Sequence, residues 1–122
     1  MNRVVHFEFT AADPEASGRF YSEVFGWKIN KWEGPIDYWL VETGEEGQPG
    51  INGGIMAAQE DQPPTTVTVD VESVDEMTAK VVAAGGQVVA PKMPVPGVGW
   101  MAYVTDPGGV LFSLMQMDEN AK

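Results

Sequence analysis

The sequence repeats itself, and this repeat restricts the possible fold more than any other feature. Each half shows the patterns of a strand, a helix and three further strands in the same order. Corresponding residues lie 59 or 60 positions apart: His6 and Thr66, Gly26 and Gly85, Gly54 and Ser113. Repeats of this length indicate similar units that pack together. The sequence therefore predicts one α+β domain, residues 1–122, with a βαβββ module over about 1–62 and another over about 63–118.

Capping signals place the two helices. Asp13 and Pro14 favour the start of a helix, because the Asp side chain accepts from free amides and Pro suits the first turn. Gly26 favours its end. Ser73 begins a capping box for the second helix. The first helix carries an apolar set at helical spacing, which we interpret as its core-facing side: Phe20, Tyr21, Val24 and Phe25.

Three further expectations concern the second half. Gln87 to Ala90 is predicted to be a short strand, and Pro91 to Gly99, which contains three prolines, is predicted to be a stiff loop. The end of the chain, Asp118 to Lys122, is expected to fray.

Composition excludes several classes of function. The chain has no cysteine, which excludes disulfides, thiolate zinc sites and a cysteine nucleophile. Its net charge of −11 repels phosphate, so neither nucleic acid nor an anionic membrane is an expected partner. No apolar run approaches about 18 residues, and no signal peptide is recognised. These features predict a globular protein of the cytoplasm.

Strand alternation predicts a pocket. In the opening strand, Val4 to Thr10, Phe7 and Phe9 point to one side, while His6 and Glu8 point to the other. The pair Gly53-Gly54 indicates a bulge or the close approach of another group. We expect two curved sheets to enclose a cup lined by polar, small and aromatic residues. The predicted ligand-binding residues are His6, Glu8, Trp39, Gly54, Thr66, Thr68, Trp100, Tyr103, Ser113 and Met115.

The only histidine has three interpretations. His6 is a polar contact for a bound molecule, a general base oriented by Glu8, or a hydrogen-bonded strand residue without a functional role. His6 and Glu8 are accordingly the candidate catalytic residues. Trp39 and Trp100 either stack on a planar ligand or are buried where the two modules meet.

Several segments resemble the vicinal oxygen chelate superfamily, which includes glyoxalase I, bleomycin-resistance proteins and extradiol dioxygenases. The resemblance covers nearly the whole chain. Within the superfamily, the sequence is most similar to short bacterial glyoxalase-like proteins. It implies a cupped, incomplete barrel. The segments that carry it are His6-Phe-Glu-Phe, Phe20-Tyr-Ser-Glu-Val-Phe-Gly-Trp27, Pro49-Gly-Ile-Asn-Gly-Gly54, Gly85-Gly86, Pro91-Lys-Met-Pro-Val-Pro-Gly-Val-Gly-Trp100 and Asp106-Pro-Gly-Gly109.

The resemblance also implies where a divalent metal would bind. The four ligand positions of the superfamily correspond to His6, Gly54, Thr66 and Ser113, of which only His6 keeps a ligand side chain. We therefore expect no metal cofactor. The predicted function is metal-independent binding of a small molecule by a homodimer of the glyoxalase/bleomycin-resistance type. The alternatives are a lyase, isomerase or dioxygenase that uses His6 and Glu8, with or without a metal, and a structural or regulatory subunit with a vestigial cup.

Overall fold

The computed structural model describes residues 1–122 and contains two helices and eight strands. The chain forms two compact units, which we call the first unit (residues 5–66) and the second unit (residues 1–4 and 67–122). No helix is long and apolar enough to cross a membrane. The elements are β1 (Val4–Ala11), α1 (Pro14–Phe25), β2 (Lys28–Lys31), β3 (Tyr38–Glu42), β4 (Asn52–Ala57), β5 (Thr65–Asp70), α2 (Val74–Ala83), β6 (Gln87–Val95), β7 (Gly99–Thr105) and β8 (Leu111–Met117).

The predicted βαβββ repeat is confirmed, and the structure shows in addition that the two halves pair their strands in equivalent register. In the first half the strand order is β2-β3-β4-β1, where only β1 and β4 run parallel, and Glu8 lies opposite Gly54. In the second half the order is β6-β7-β8-β5, where only β5 and β8 run parallel, and Thr68 lies opposite Ser113. These two residue pairs occupy equivalent positions of the repeat. The α+β class of the chain is therefore as predicted.

The helices begin where the capping signals predict. The Asp13 side chain accepts a hydrogen bond of 3.1 Å from the amide of Ala16, and the Ser73 hydroxyl accepts one of 3.1 Å from the amide of Glu76. Each such cap stabilises a helix by about 1 kcal/mol. α1 ends at Gly26, whose φ of 74° is the left-handed conformation that favours glycine.

Each unit buries the helix-facing side of its strands. In the first unit Val41 and Ile55 are buried, and the ring centroids of Phe9 and Tyr21 lie 5.5 Å apart. α1 approaches closely at Gly18, where an added Cβ would come within 3.1 Å of Ile29. The second unit has an apolar core made of Val71, Val74, Ala102, Val104 and Leu114.

The prediction that the apolar set of α1 faces the core is wrong for three of its four residues. Phe20, Val24 and Phe25 are each more than half exposed. Gly18 is the only fully buried residue of α1, and at 3.6 residues per turn Phe20 and Val24 point away from it. Helical spacing identified an apolar stripe, but α1 contacts the sheet at Gly18 and through the ring of Tyr21.

Two expectations for the second half are also wrong. β6 extends through Pro91 and Pro94 to Val95, where a loop was predicted. This is possible because β6 is an edge strand that pairs only with β7, with shifts in register, and an edge tolerates the missing amides. The C-terminus is also ordered: Ala121 is buried, and its carbonyl accepts a hydrogen bond of 3.0 Å from the amide of Gly97.

Candidate functional site

One face of the first unit collects the polar residues of three strands. Glu8 of β1 lies opposite Gly54 of β4, and Gly54 lies opposite Leu40 of β3. Because side chains alternate along a strand, His6 and Tyr38 point to the same face as Glu8 and Gly54. We call His6, Glu8, Tyr38 and Gly54 the His6 cluster.

The Tyr38 hydroxyl connects the two polar side chains of the cluster. Its oxygen lies 2.7 Å from Nε2 of His6, and it donates a hydrogen bond of 3.3 Å to Oε2 of Glu8. The rings of His6 and Tyr38 are nearly parallel, with an interplanar angle of 16°. Only 8% of Glu8 is exposed. A buried carboxylate needs a hydrogen-bond partner, and Tyr38 provides one.

Gly54 makes room for this tyrosine. A Cβ atom added at Gly54 would overlap the hydroxyl group and the ring of Tyr38. The close approach that the glycine pair indicates is therefore confirmed, and the approaching group is a phenol. Gly53 is restricted differently, because its Cβ would overlap the backbone carbonyl and the ring of Phe7.

Burial lowers the pKa of His6 below its ordinary value of about 6.5, because the charged imidazolium loses solvation. The ring is therefore neutral at pH 7. A neutral imidazole has one nitrogen that donates and one that accepts, and its neighbours decide which is which.

The equivalent positions of the second unit hold neutral hydroxyls. Thr68 and Ser113 are buried and lie 2.8 Å apart between their oxygens. Tyr103, opposite Ser113 in β7, points to the same face, as does Met115 of β8. Thr66, the counterpart of His6, is 3% exposed and belongs to the first unit. The predicted site residues thus fall into one group on each unit.

Two of the predicted ligand-binding residues point elsewhere. Trp39 lies opposite Ile55, so it is on the other face of its sheet from His6, with the Lys31 ammonium 5.5 Å from its ring centroid. Trp100 packs against the apolar core of the second unit, and its Nε1 donates a hydrogen bond of 3.0 Å to Asp118. The predicted direction of these two side chains is wrong, because a shift of one residue in strand phase exchanges the faces.

The sequence prediction missed Tyr38, although it is adjacent to Trp39. Both residues lie in the predicted strand Ile36 to Glu42, and only the pairing with β4 decides which of them shares a face with His6. The signal that could have found Tyr38 is Gly54, since a glycine in a strand needs a large neighbour to fill its space.

Two surface concavities lie away from the cluster. One of about 540 Å³ is lined by residues 43–50 and Asn52, and another of about 540 Å³ is lined by Gly97, Val98, Met117, Asp118 and Glu119. Neither contains a residue of the His6 cluster. The cluster is singled out by its connected polar groups and by the lowered pKa of His6.

The side chains do not fit the divalent metal that the superfamily resemblance implies. The Tyr38 phenol occupies the space that a metal-binding side chain at position 54 would need. Nε2 of His6 is hydrogen-bonded to the same phenol. Ser113 is bonded to Thr68, and neutral hydroxyls hold divalent ions poorly. No three His, Cys, Asp or Glu residues are grouped so that they could hold a metal ion.

The two βαβββ modules, with one helix in each, define an α+β protein of the glyoxalase-like class. Comparison with known families agrees, because the model of the glyoxalase-like domain matches residues 5–115. The chain belongs to this family. Its resemblance to the vicinal oxygen chelate superfamily is thereby confirmed.

Curated relatives are longer than this chain. “Putative glyoxylase CFP32” of Mycobacterium tuberculosis is 29% identical over 119 residues, which cover 93% of this chain and 45% of that protein. “Anthracycline biosynthesis protein DnrV” of Streptomyces peucetius is 27% identical over 124 residues, which cover 88% of this chain and 44% of that protein. The chain thus spans just under half the length of these relatives.

A solved structure shares the fold over its whole length. A variant of the methylmalonyl-CoA epimerase from Streptomyces coelicolor, in complex with 2-nitronate-propionyl-CoA, has a TM-score of 0.71 to this chain. The match covers 100% of this chain and 99% of that chain, with 16% sequence identity. At this identity the similarity shows the fold alone.

Proposed function

We propose that this glyoxalase-like protein binds a small molecule without a metal, as proteins of the bleomycin-resistance type do. The observation that carries the proposal is the position of the Tyr38 hydroxyl. It bridges the only histidine and the buried Glu8, in the space left by Gly54. The rings of His6 and Tyr38 and the carboxyl group of Glu8 thus form a polar surface, which suits recognition of an organic ligand.

The donors that are present support metal independence. A site that binds a divalent ion needs several charged or imidazole ligands converging on one point, and this chain offers one imidazole that is already hydrogen-bonded. Thr66, Thr68, Tyr103, Ser113 and Met115 remain predicted ligand contacts. A homodimer and a cytoplasmic location are further parts of the proposal, which rest on the family resemblance and on the composition.

A second candidate function is proton transfer, as in a lyase or isomerase of the same superfamily. It is favoured by the lowered pKa of His6, because a neutral imidazole at pH 7 can accept a proton from a carbon acid. Glu8 and Tyr38 would orient the ring. The name of one relative, “Putative glyoxylase CFP32”, agrees with this class of reaction.

The deciding experiment combines metal analysis with ligand screening. We expect purified protein to contain far less than one equivalent of any divalent metal and to be stabilised in thermal-shift assays by members of a panel of aromatic, sugar-like and antibiotic compounds. The stabilisation should persist in EDTA. It should be lost in Tyr38→Phe and retained in Tyr21→Phe, a control that removes a hydroxyl from the opposite, helix-covered face.

Three results would contradict the proposal. Stoichiometric metal that activates turnover of the glutathione adduct of methylglyoxal would assign the chain to the metalloenzymes. Turnover that needs no metal and is abolished in His6→Ala would favour the second candidate. A panel without any binder, together with no turnover, would count against both.

A further inference from the structure

The position of the Tyr38 hydroxyl proton determines which nitrogen of His6 carries a proton, and therefore which hydrogen bonds the His6 cluster can offer to a ligand. Tyr38 has one O–H group, and its polar neighbours include Nε2 of His6 and Oε2 of Glu8. The phenol can donate to only one of them, and its oxygen can accept from the other. The two arrangements give opposite tautomers of the histidine.

The carboxylate of Glu8 favours one arrangement. An ionised carboxylate can only accept, so it attracts the phenol proton at the 3.3 Å separation. If Tyr38 donated to His6 instead, lone pairs of the phenol oxygen would face the lone pairs of Oε2, whereas the hydrogen bond runs from the Tyr38 hydroxyl to that oxygen. With Tyr38 donating to Glu8, the distance of 2.7 Å to His6 requires that Nε2 carries a proton and donates it to the phenol oxygen.

The second nitrogen of the ring is then an unused acceptor. Nδ1 makes no hydrogen bond within the chain, and no side-chain nitrogen or oxygen of the protein is both fully buried and unpartnered. Nδ1 is therefore within reach of solvent or of a bound molecule. Because Nε2 holds the only proton of the neutral ring, Nδ1 presents a lone pair.

We propose that Tyr38 is a positioning residue that fixes His6 as its Nε2–H tautomer, so that Nδ1 accepts a hydrogen bond from a hydroxyl or N–H group of the ligand. This proposal rests on the proposed function and names the class of its ligand. Groups that only accept, such as carboxylates and fully ionised phosphate esters, meet a lone pair at Nδ1 and a net charge of −11 on the chain. The site therefore selects neutral or cationic molecules that carry a donor.

The tautomer can be measured without any ligand. His6 is the only histidine, so labelling with ¹⁵N-histidine gives one pair of ring nitrogen signals. At pH 8, wild type is expected to show a protonated Nε2 and an unprotonated Nδ1. Tyr38→Phe removes the acceptor of the Nε2 proton, so the two nitrogen shifts should move toward each other, while Tyr21→Phe keeps the wild-type values.

A matched pair of probes tests the ligand class. Phenol and anisole are similar in shape, but only phenol has an O–H donor. Titration with phenol is expected to move the Nδ1 signal in a saturable way, whereas anisole and acetate leave it unchanged. Equal responses to phenol and anisole, or no response to phenol, would overturn the assignment of a donor ligand.

The outcomes separate this inference from the proposed function. A protonated Nδ1 in wild type, or a Tyr38→Phe spectrum identical to wild type, overturns the role of Tyr38 even if the panel yields a ligand. A protonated Nε2 that depends on Tyr38, with no ligand found in the panel, supports the positioning role and refutes the proposed function. The wild-type spectrum decides the tautomer even if Tyr38→Phe does not fold.

Discussion

Gly54→Ala places a methyl group where the Tyr38 ring lies, and it is the smallest change that tests why this glycine is present. The new Cβ would overlap the hydroxyl and ring atoms of Tyr38, so the phenol must move away. Its hydrogen bond to His6 is lost when it moves.

The expected loss of stability follows from three terms. Overpacking destabilises by about 1–3 kcal/mol, and loss of one hydrogen bond by about 0.5–1.5 kcal/mol. Replacing glycine in a strand returns about 0.5–1 kcal/mol. The net effect is a decrease of about 2 kcal/mol in the free energy of unfolding, which at a urea slope of about 2 kcal/mol/M lowers the midpoint by about 1 M.

A double-mutant cycle in urea identifies the cause. In a Tyr38→Ala background the ring is absent, so adding Gly54→Ala should be neutral or slightly stabilising, with a coupling energy of about 2–3 kcal/mol. Gly53→Ala is the control: its Cβ overlaps the backbone carbonyl and the ring of Phe7, and Tyr38→Ala should not rescue it. If Gly54→Ala costs the same with and without the Tyr38 ring, the explanation of Gly54 is refuted.

Three further outcomes are expected. Because burial lowers the pKa of His6 in the folded state, the unfolded chain binds more protons as the pH falls through about 6.5. The free energy of unfolding should therefore decrease there, by at most about 1.4 kcal/mol per pH unit. The difference in this free energy between wild type and His6→Gln over pH 5–8 should show this slope, and a flat difference would contradict the burial of His6. Ser113→Ala leaves the buried Thr68 hydroxyl without its partner and should destabilise the protein by about 1–3 kcal/mol. Combining it with Thr68→Val should restore part of that loss. If the losses of the two single variants simply add in the double variant, measured by urea unfolding, the hydrogen bond between the two hydroxyls is refuted. Phe20→Ser changes an exposed side chain and should alter the free energy of unfolding, measured in urea, by no more than about 0.5 kcal/mol. A loss of about 2 kcal/mol or more would restore the core role that the sequence predicted.

Local signals predicted the elements of this fold well. Asp13, Gly26 and Ser73 determine helix ends through their own side chains or backbone, and these ends are where the sequence placed them. The repeat was equally visible, because equivalent residues such as Gly54 and Ser113 recur after 59 or 60 positions. Caps depend on near neighbours in the chain and the repeat on a fixed spacing, and a sequence displays both directly.

Features that depend on a partner strand or helix were not predictable in the same way. Alternation showed that Tyr38 and Trp39 face opposite sides, but only the register with β4 decides which side belongs to His6. The apolar spacing of Phe20 and Val24 likewise could not reveal that α1 contacts the sheet through Gly18. The prolines of β6 indicated a loop because nothing in their own sequence marks an edge strand.

The central claim is that the Tyr38 phenol has taken the place of a metal ligand, so that His6 serves an organic ligand. Titration of ¹⁵N-histidine-labelled protein with Zn²⁺, followed at the two ring nitrogens of His6, tests this most directly. The account predicts that one equivalent of Zn²⁺ leaves both signals unchanged, because Nε2 is hydrogen-bonded to Tyr38 and no further ligands converge on the ring. A stoichiometric shift of the Nε2 signal that EDTA reverses would contradict it.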